Sequence, residues 1–113
     1  MPLLRLETTV VPGDVKALLA SLSRIVAETI GKPEEYVMVT LNTAAVSMSG
    51  EAGEGAFVDV RSIGGLNRDI NEALSQKISG VLQEQLGIPN TRVFLNFTEL
   101  PAAHWGWQSK TLA

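Results

Sequence analysis

The chain repeats itself, and the repeat limits what it can fold into. Gly31-Lys32-Pro33-Glu34-Glu35-Tyr36-Val37-Met38-Val39 can be laid over Gly87-Ile88-Pro89-Asn90-Thr91-Arg92-Val93-Phe94-Leu95, a displacement of 56 positions in a chain of 113. The same displacement pairs Leu18 with Leu74, Leu22 with Ile78, Ile25 with Val81, Val26 with Leu82, Ile30 with Leu86 and Leu4 with Val60. A shared Gly-x-Pro break followed by matching apolar patterns marks two copies of one supersecondary unit, covering about residues 2–47 and 56–101 of a single domain.

Each copy reads as strand, helix, strand. Val15, Leu18, Leu19, Leu22, Ile25, Val26 and Ile30 recur at helical spacing, with Lys16, Ser23, Arg24 and Glu28 on other faces. Asp14 can cap the first helix and Gly31 can end it in a left-handed conformation. Ile70, Leu74, Ile78, Val81, Leu82 and Leu86, closed by Gly87, repeat the pattern. Strand-like segments Leu3–Val10 and Tyr36–Asn42 flank the first helix, and Ala56–Ile63 and Arg92–Glu99 the second. A helix joining two strands of one sheet requires parallel pairing with a right-handed crossover. The expected fold is therefore α+β: two pseudo-symmetric βαβ units forming a mixed sheet with both helices on one face. Met48–Gly55 reads as the turn between the halves. In the last strand Val93, Leu95 and Phe97 share one face and Phe94, Asn96 and Thr98 the other, and that second face needs solvent or a partner surface.

Composition removes several chemistries. With no cysteine there is no disulfide, thiolate nucleophile or cysteine-bound metal, and a single histidine, His104, argues against a histidine-rich metal centre. Nine basic against twelve acidic residues, without runs, leave a net charge of −3 and no footprint for nucleic acid or an anionic membrane. Arg5 and Glu7 interrupt the apolar start, so it matches neither a secretory signal nor a membrane span, and a cytoplasmic location is expected, with export without a signal peptide as the alternative. An apolar content of 45% in so short a chain points to surface hidden between subunits.

Further residues carry a resemblance. The chain opens Met-Pro-Leu-Leu and continues with Thr8-Thr9-Val10, Pro12, Gly31-Lys32-Pro33 and Tyr36. Then come Ser62-Ile63-Gly64-Gly65, Asn67-Arg68, Arg92-Val93-Phe94-Leu95-Asn96-Phe97, Ala102-Ala103 and Gly106-Trp107. In order and spacing these are similar, from end to end, to the family of macrophage migration inhibitory factor and D-dopachrome tautomerase. The resemblance implies a homotrimer with active sites between subunits and cofactor-free keto–enol tautomerisation of small aromatic 2-keto acids. Pro2 is then the catalytic base, which requires loss of Met1 to free its amine. An α-amino group has a pKa of roughly 8 in water, and an apolar pocket with cations nearby would lower it toward the working pH.

By the same resemblance Lys32 and the backbone N–H of Ile63 bind the substrate carboxylate, and Asn96 reaches the carbonyl end from a neighbouring subunit. Tyr36, Phe94, Trp105 and Trp107 form the aromatic wall. Each has a simpler reading beside this: Pro2 as a strand start, Lys32 as a cation at a helix C-terminus, Ile63 as core, Asn96 as a strand-end or subunit contact, and the aromatics as packing. Three features depart from the relatives. Phe94 lacks the hydroxyl of their frequent tyrosine, Trp105 replaces a smaller aliphatic residue, and the absent Cys-x-x-Cys removes any thiol–disulfide activity. The first two keep open a second reading, an interaction protein or cytokine mimic that engages a protein receptor and has a weak or vestigial pocket. Arg61 is the one obvious candidate for a different superfamily reaction, and His104 reads as a solvent-exposed loop residue.

Overall fold

In the structure, a computed structural model describing residues 1–113, both helices form between the residues whose chemistry suits their ends. Helix α1 spans Val15–Ile30, and the Asp14 carboxylate accepts the Ala17 N–H at 3.0 Å. Gly31, at φ 81°, closes it by donating its N–H to the Ala27 carbonyl at 2.9 Å. Helix α2 spans Arg68–Leu86, capped by Asn67, whose Oδ1 accepts the Ile70 N–H at 2.8 Å. Gly87, at φ 68°, donates to Gln83, and Ile88 donates to Leu82, two bonds that satisfy otherwise free carbonyls of the last turn.

The proline after each glycine then does the same thing twice. Pro33 and Pro89 precede 3-10 turns at Glu34–Tyr36 and Asn90–Arg92, each closed by an N–H donated to the proline carbonyl. Tyr36 and Arg92, expected as first strand residues, belong to these turns.

The strands are β1 (Leu3–Thr8), β2 (Met38–Thr43), β3 (Ser47–Met48), β4 (Glu51–Ala52), β5 (Ala56–Ser62), β6 (Val93–Glu99), β7 (Gly106–Trp107) and β8 (Lys110–Thr111). The main sheet has the order β2-β1-β5-β6. Its outer pairs, β1 with β2 and β5 with β6, are parallel, whereas β1 and β5 run antiparallel. Each half is thus one βαβ unit, and the halves join through their first strands. Leu4 and Val60, equivalent by the repeat, lie directly opposite each other. The pseudo-twofold axis passes between them.

Two strands end earlier than the sequence pattern implies, each for a local reason. After β1 the Thr8 hydroxyl accepts the Val10 N–H at 3.1 Å, and Gly55, next in the β1–β5 register, donates its N–H at 3.1 Å to the Thr9 hydroxyl where a continuing ladder would use the carbonyl. After β5 the Ser62 hydroxyl donates to the Gly64 carbonyl at 2.7 Å, turning the chain before Ile63. The expected turn at Met48–Gly55 contains the hairpin β3–β4 around Ser49 and Gly50, both at positive φ as a two-residue hairpin loop requires. The tail forms a matching hairpin, β7–β8, around Gln108 and Ser109. Each βαβ unit is therefore followed by the same small hairpin.

Period-two alternation divides the sheet. Leu4, Leu6 and Thr8 of β1 and Ala56, Val58, Val60 and Ser62 of β5 are buried beneath the helices, whose Leu18, Leu22, Val26, Leu74, Ile78 and Leu82 complete the core. The other face carries three rows across the strands: Met38–Leu3–Arg61–Thr98, Thr40–Arg5–Asp59–Asn96 and Asn42–Glu7–Phe57–Phe94. No element of the chain covers it, and Met38 and Phe94 are 62% and 64% exposed.

Candidate active site

A cleft of about 510 Å³ opens where β1 begins, and Pro2 lies in its lining. The ladder positions this residue. The Pro2 carbonyl accepts the Met38 N–H at 3.1 Å, and the next residue, Leu3, pairs with Met38 on one side and Arg61 on the other. Pro2 is buried, and because it stands immediately before β1 its missing N–H costs the sheet nothing.

The aromatic wall comes from two distant segments. Tyr36 arrives on the 3-10 turn after α1 and Trp107 on β7, and their rings meet edge to face with centroids 5.8 Å apart at 80°. Trp105 lines the same cleft, its carbonyl accepting the Leu112 N–H at 3.0 Å so that the tail folds back on itself. A bond from Leu100 N–H to the Ser62 carbonyl, 2.9 Å, ties the start of this tail to the end of β5.

The electrostatics favour a neutral amine. The amino group of Met1 is held below its ordinary 8.0, first because burial disfavours the charged form and second because the Lys32 ammonium is close enough to repel it. While Met1 is attached the Pro2 nitrogen is an amide and not a base. Loss of Met1 would convert it to a secondary amine one residue along, about 3.8 Å in Cα spacing, within reach of the same surroundings. Lys32 follows the α1 glycine and lies against Gly65: a Cβ built there would come 3.5 Å from its Cε. Gly64 and Gly65 both take positive φ, 72° and 84°, which frees the backbone beside Ile63 to pass close to the lysine.

Of the residues singled out from sequence, Pro2, Tyr36, Trp105 and Trp107 share this cleft, and Lys32 acts on its amine. Ile63 stands beside the glycine turn without lining the cleft. Phe94 and Asn96 are on the uncovered sheet face, where the Asn96 amide donates to the Thr98 hydroxyl at 2.9 Å. Two further lining residues are not among the substrate contacts expected from sequence: Arg61, singled out only as a candidate for a different superfamily reaction, and His104, expected as a solvent-exposed loop residue. Arg61 enters because the β1–β5 register sets it opposite Leu3, a pairing no local pattern reveals. His104 is exposed as expected, but it sits in the 3-10 turn Ala102–His104 and faces the cleft. A Pro-Ala-Ala-His sequence is a recognisable turn, and the direction it faces depends on the tail. No group of three or more His, Cys, Asp or Glu side chains is placed to hold a metal ion.

A two-fold repeated βαβ sheet with a terminal amine in an aromatic cleft at its edge is the arrangement of the tautomerase superfamily. The family model described as macrophage migration inhibitory factor (MIF) matches residues 1–113. A macrophage migration inhibitory factor homolog of Trichinella spiralis is 34% identical over 113 residues, covering 98% of this chain and 99% of that protein. The crystal structure of a homologue from Prochlorococcus marinus superposes with a TM-score of 0.94 at 34% identity, over 98% of this chain and 99% of the other. A fused 4-OT protein solved as a symmetric trimer superposes at 0.83 with 26% identity, over 96% and 93% of the two chains. The chain belongs to the macrophage migration inhibitory factor family.

Proposed function

We propose that this protein is a keto–enol tautomerase for small aromatic 2-keto acids of the phenylpyruvate kind, working as a homotrimer with Pro2, freed of Met1, as its general base. The observation that carries the reading is Pro2 in the lining of an aromatic-walled cleft, beside a Met1 amine whose pKa is lowered by burial and by Lys32, surroundings the Pro2 amine would share once Met1 is lost. The neutral amine takes a proton from C3 of the keto acid, negative charge moves to the C2 oxygen, and the proton is returned there to give the enol; ketonisation is the reverse. A base whose pKa is brought toward the working pH does both steps without a cofactor.

Lys32 binds the substrate carboxylate together with the Ile63 N–H, a charge-assisted contact in a partly desolvated site. Tyr36, Trp105 and Trp107 hold the ring. Phe94 and Asn96 complete the wall and the carbonyl end from a neighbouring copy, since in their own chain they stand on the uncovered face. That face also supports the trimer. It presents Met38, Phe57 and Phe94, and it holds Asp59 with its Oδ1 buried and unpartnered, a group that a neighbouring copy can supply with a donor.

The test is turnover of an aromatic enol-pyruvate by the Met-processed protein and by Pro2→Gly, with fold and assembly mass checked for both. Activity should fall by at least about a hundredfold in the folded mutant, the usual contribution of a general base. Unchanged activity would remove Pro2 from the mechanism, and a monomeric mass would remove the neighbouring copy from the site.

A further inference from the structure

The proposed reaction uses one cation, Lys32, for one carboxylate. The cleft is lined by a second cation that this chemistry does not use. It is Arg61, the only lysine or arginine in the lining. It stands near the end of β5 directly across from Leu3, one residue from Pro2, and its side chain is 46% exposed.

Asp59, two residues back on the same face, holds this arginine in place. The Arg61 Nε donates to Asp59 Oδ2 at 3.2 Å and Nη2 lies 3.1 Å from the same oxygen. A guanidinium carries five N–H donors in one rigid plane, so a single oxygen leaves most of the fork free. Asp59 is only 6% exposed, and Arg5 lies 3.9 Å from the same Oδ2, so the contacts to Arg61 converge on one oxygen and its remaining N–H donors are not taken up by this carboxylate. A freely swinging surface arginine would lose rotamer entropy on binding. One pinned by a buried carboxylate has already lost much of it.

We propose that Arg61 is a second anion-binding group of the cleft, so that the aromatic 2-keto acids it takes best carry a further carboxylate remote from the 2-keto acid group. The planar fork matches a carboxylate and offers nothing comparable to an unsubstituted phenyl ring. The choice of 2-keto acids rests on the tautomerase reading, whereas Arg61 as an anion contact does not.

The experiment has a binding arm and a turnover arm, both on the assembled, Met-processed protein. Calorimetry compares 4-carboxyphenylacetate with phenylacetate, two unreactive probes differing by the remote carboxylate. Wild type should bind the first roughly tenfold or more tightly, as one charge-assisted contact allows. That advantage should vanish in R61Q and return in part in R61K. In the turnover arm, R61Q should lower kcat/KM for 4-carboxyphenylpyruvate relative to phenylpyruvate by a similar factor, through KM. Equal binding of the two probes by wild type overturns the proposal whether or not R61Q folds, and so does an advantage that R61Q preserves. Failure of wild type to turn over either pyruvate would sink the tautomerase reading alone, because the binding arm still decides the role of Arg61.

Discussion

Replacing Gly65 by alanine combines two costs that the neighbouring glycine separates. Gly65 has φ +84°, and a Cβ built on it meets Ile30 Cγ2 at 2.8 Å. The left-handed conformation costs an alanine about 1–2 kcal/mol. The contact adds about 1–3 kcal/mol, the usual penalty of overpacking. It cannot be relieved cheaply, because Ile30 is 8% exposed in the core and its β-branched side chain is stiff about χ1. Gly64 has φ +72° with nothing within 4 Å of its built Cβ, so Gly64→Ala should show the conformational cost alone. The expected losses are about 2–5 kcal/mol for Gly65→Ala and about 1–2 for Gly64→Ala. Urea unfolding at one fixed protein concentration measures both, fixed because assembly contributes to apparent stability. A shift of Ile30 also moves the backbone that leads into Lys32, so KM for a carboxylate substrate should rise in Gly65→Ala more than in Gly64→Ala. Equal stability losses in the two variants would refute the close contact.

Three further outcomes follow from named groups. In Lys32→Gln the repulsion on the terminal amine is gone, so its pKa should rise toward 8.0 without reaching it, since burial is the larger cause of the lowering. The rising limb of the kcat/KM profile of the processed enzyme should move to higher pH. The same depressed amine sets a stability trend in the chain that keeps Met1: its contribution is full above 8.0 and is lost as pH falls through the folded-state pKa, and urea midpoints across that window should fall less in Lys32→Gln. Asp14→Ala and Asn67→Ala each remove one capping acceptor and should cost about 1 kcal/mol by urea unfolding, while Asp14→Asn stays close to wild type.

Much of the architecture is written in short stretches of chain. The two helices, their capping residues Asp14 and Asn67, their glycine ends and the repeat that makes two βαβ units all depend on spacing over a few residues. Strand ends are less apparent, because the Thr8 and Ser62 hydroxyls redirect the backbone through bonds that propensity does not distinguish from a continuing ladder. The tail hairpin is also hidden, since Gln108 and Ser109 take positive φ without the glycine that usually announces such a turn.

The site divides along the same line. Pro2, Lys32, Tyr36 and Trp107 are identified by the family pattern, and the cleft gathers three of them around an amine that Lys32 perturbs. Arg61 and His104 acquire a place there only through the β1–β5 register and the fold of the tail. By itself the sequence determined two capped helices, four main strands and their pairing into repeated units, because those follow from contacts within a turn or along a strand. The tertiary structure decided that Arg61 and His104 join the lining around Pro2, because this depends on contacts between segments far apart in the chain, such as Leu3 opposite Arg61.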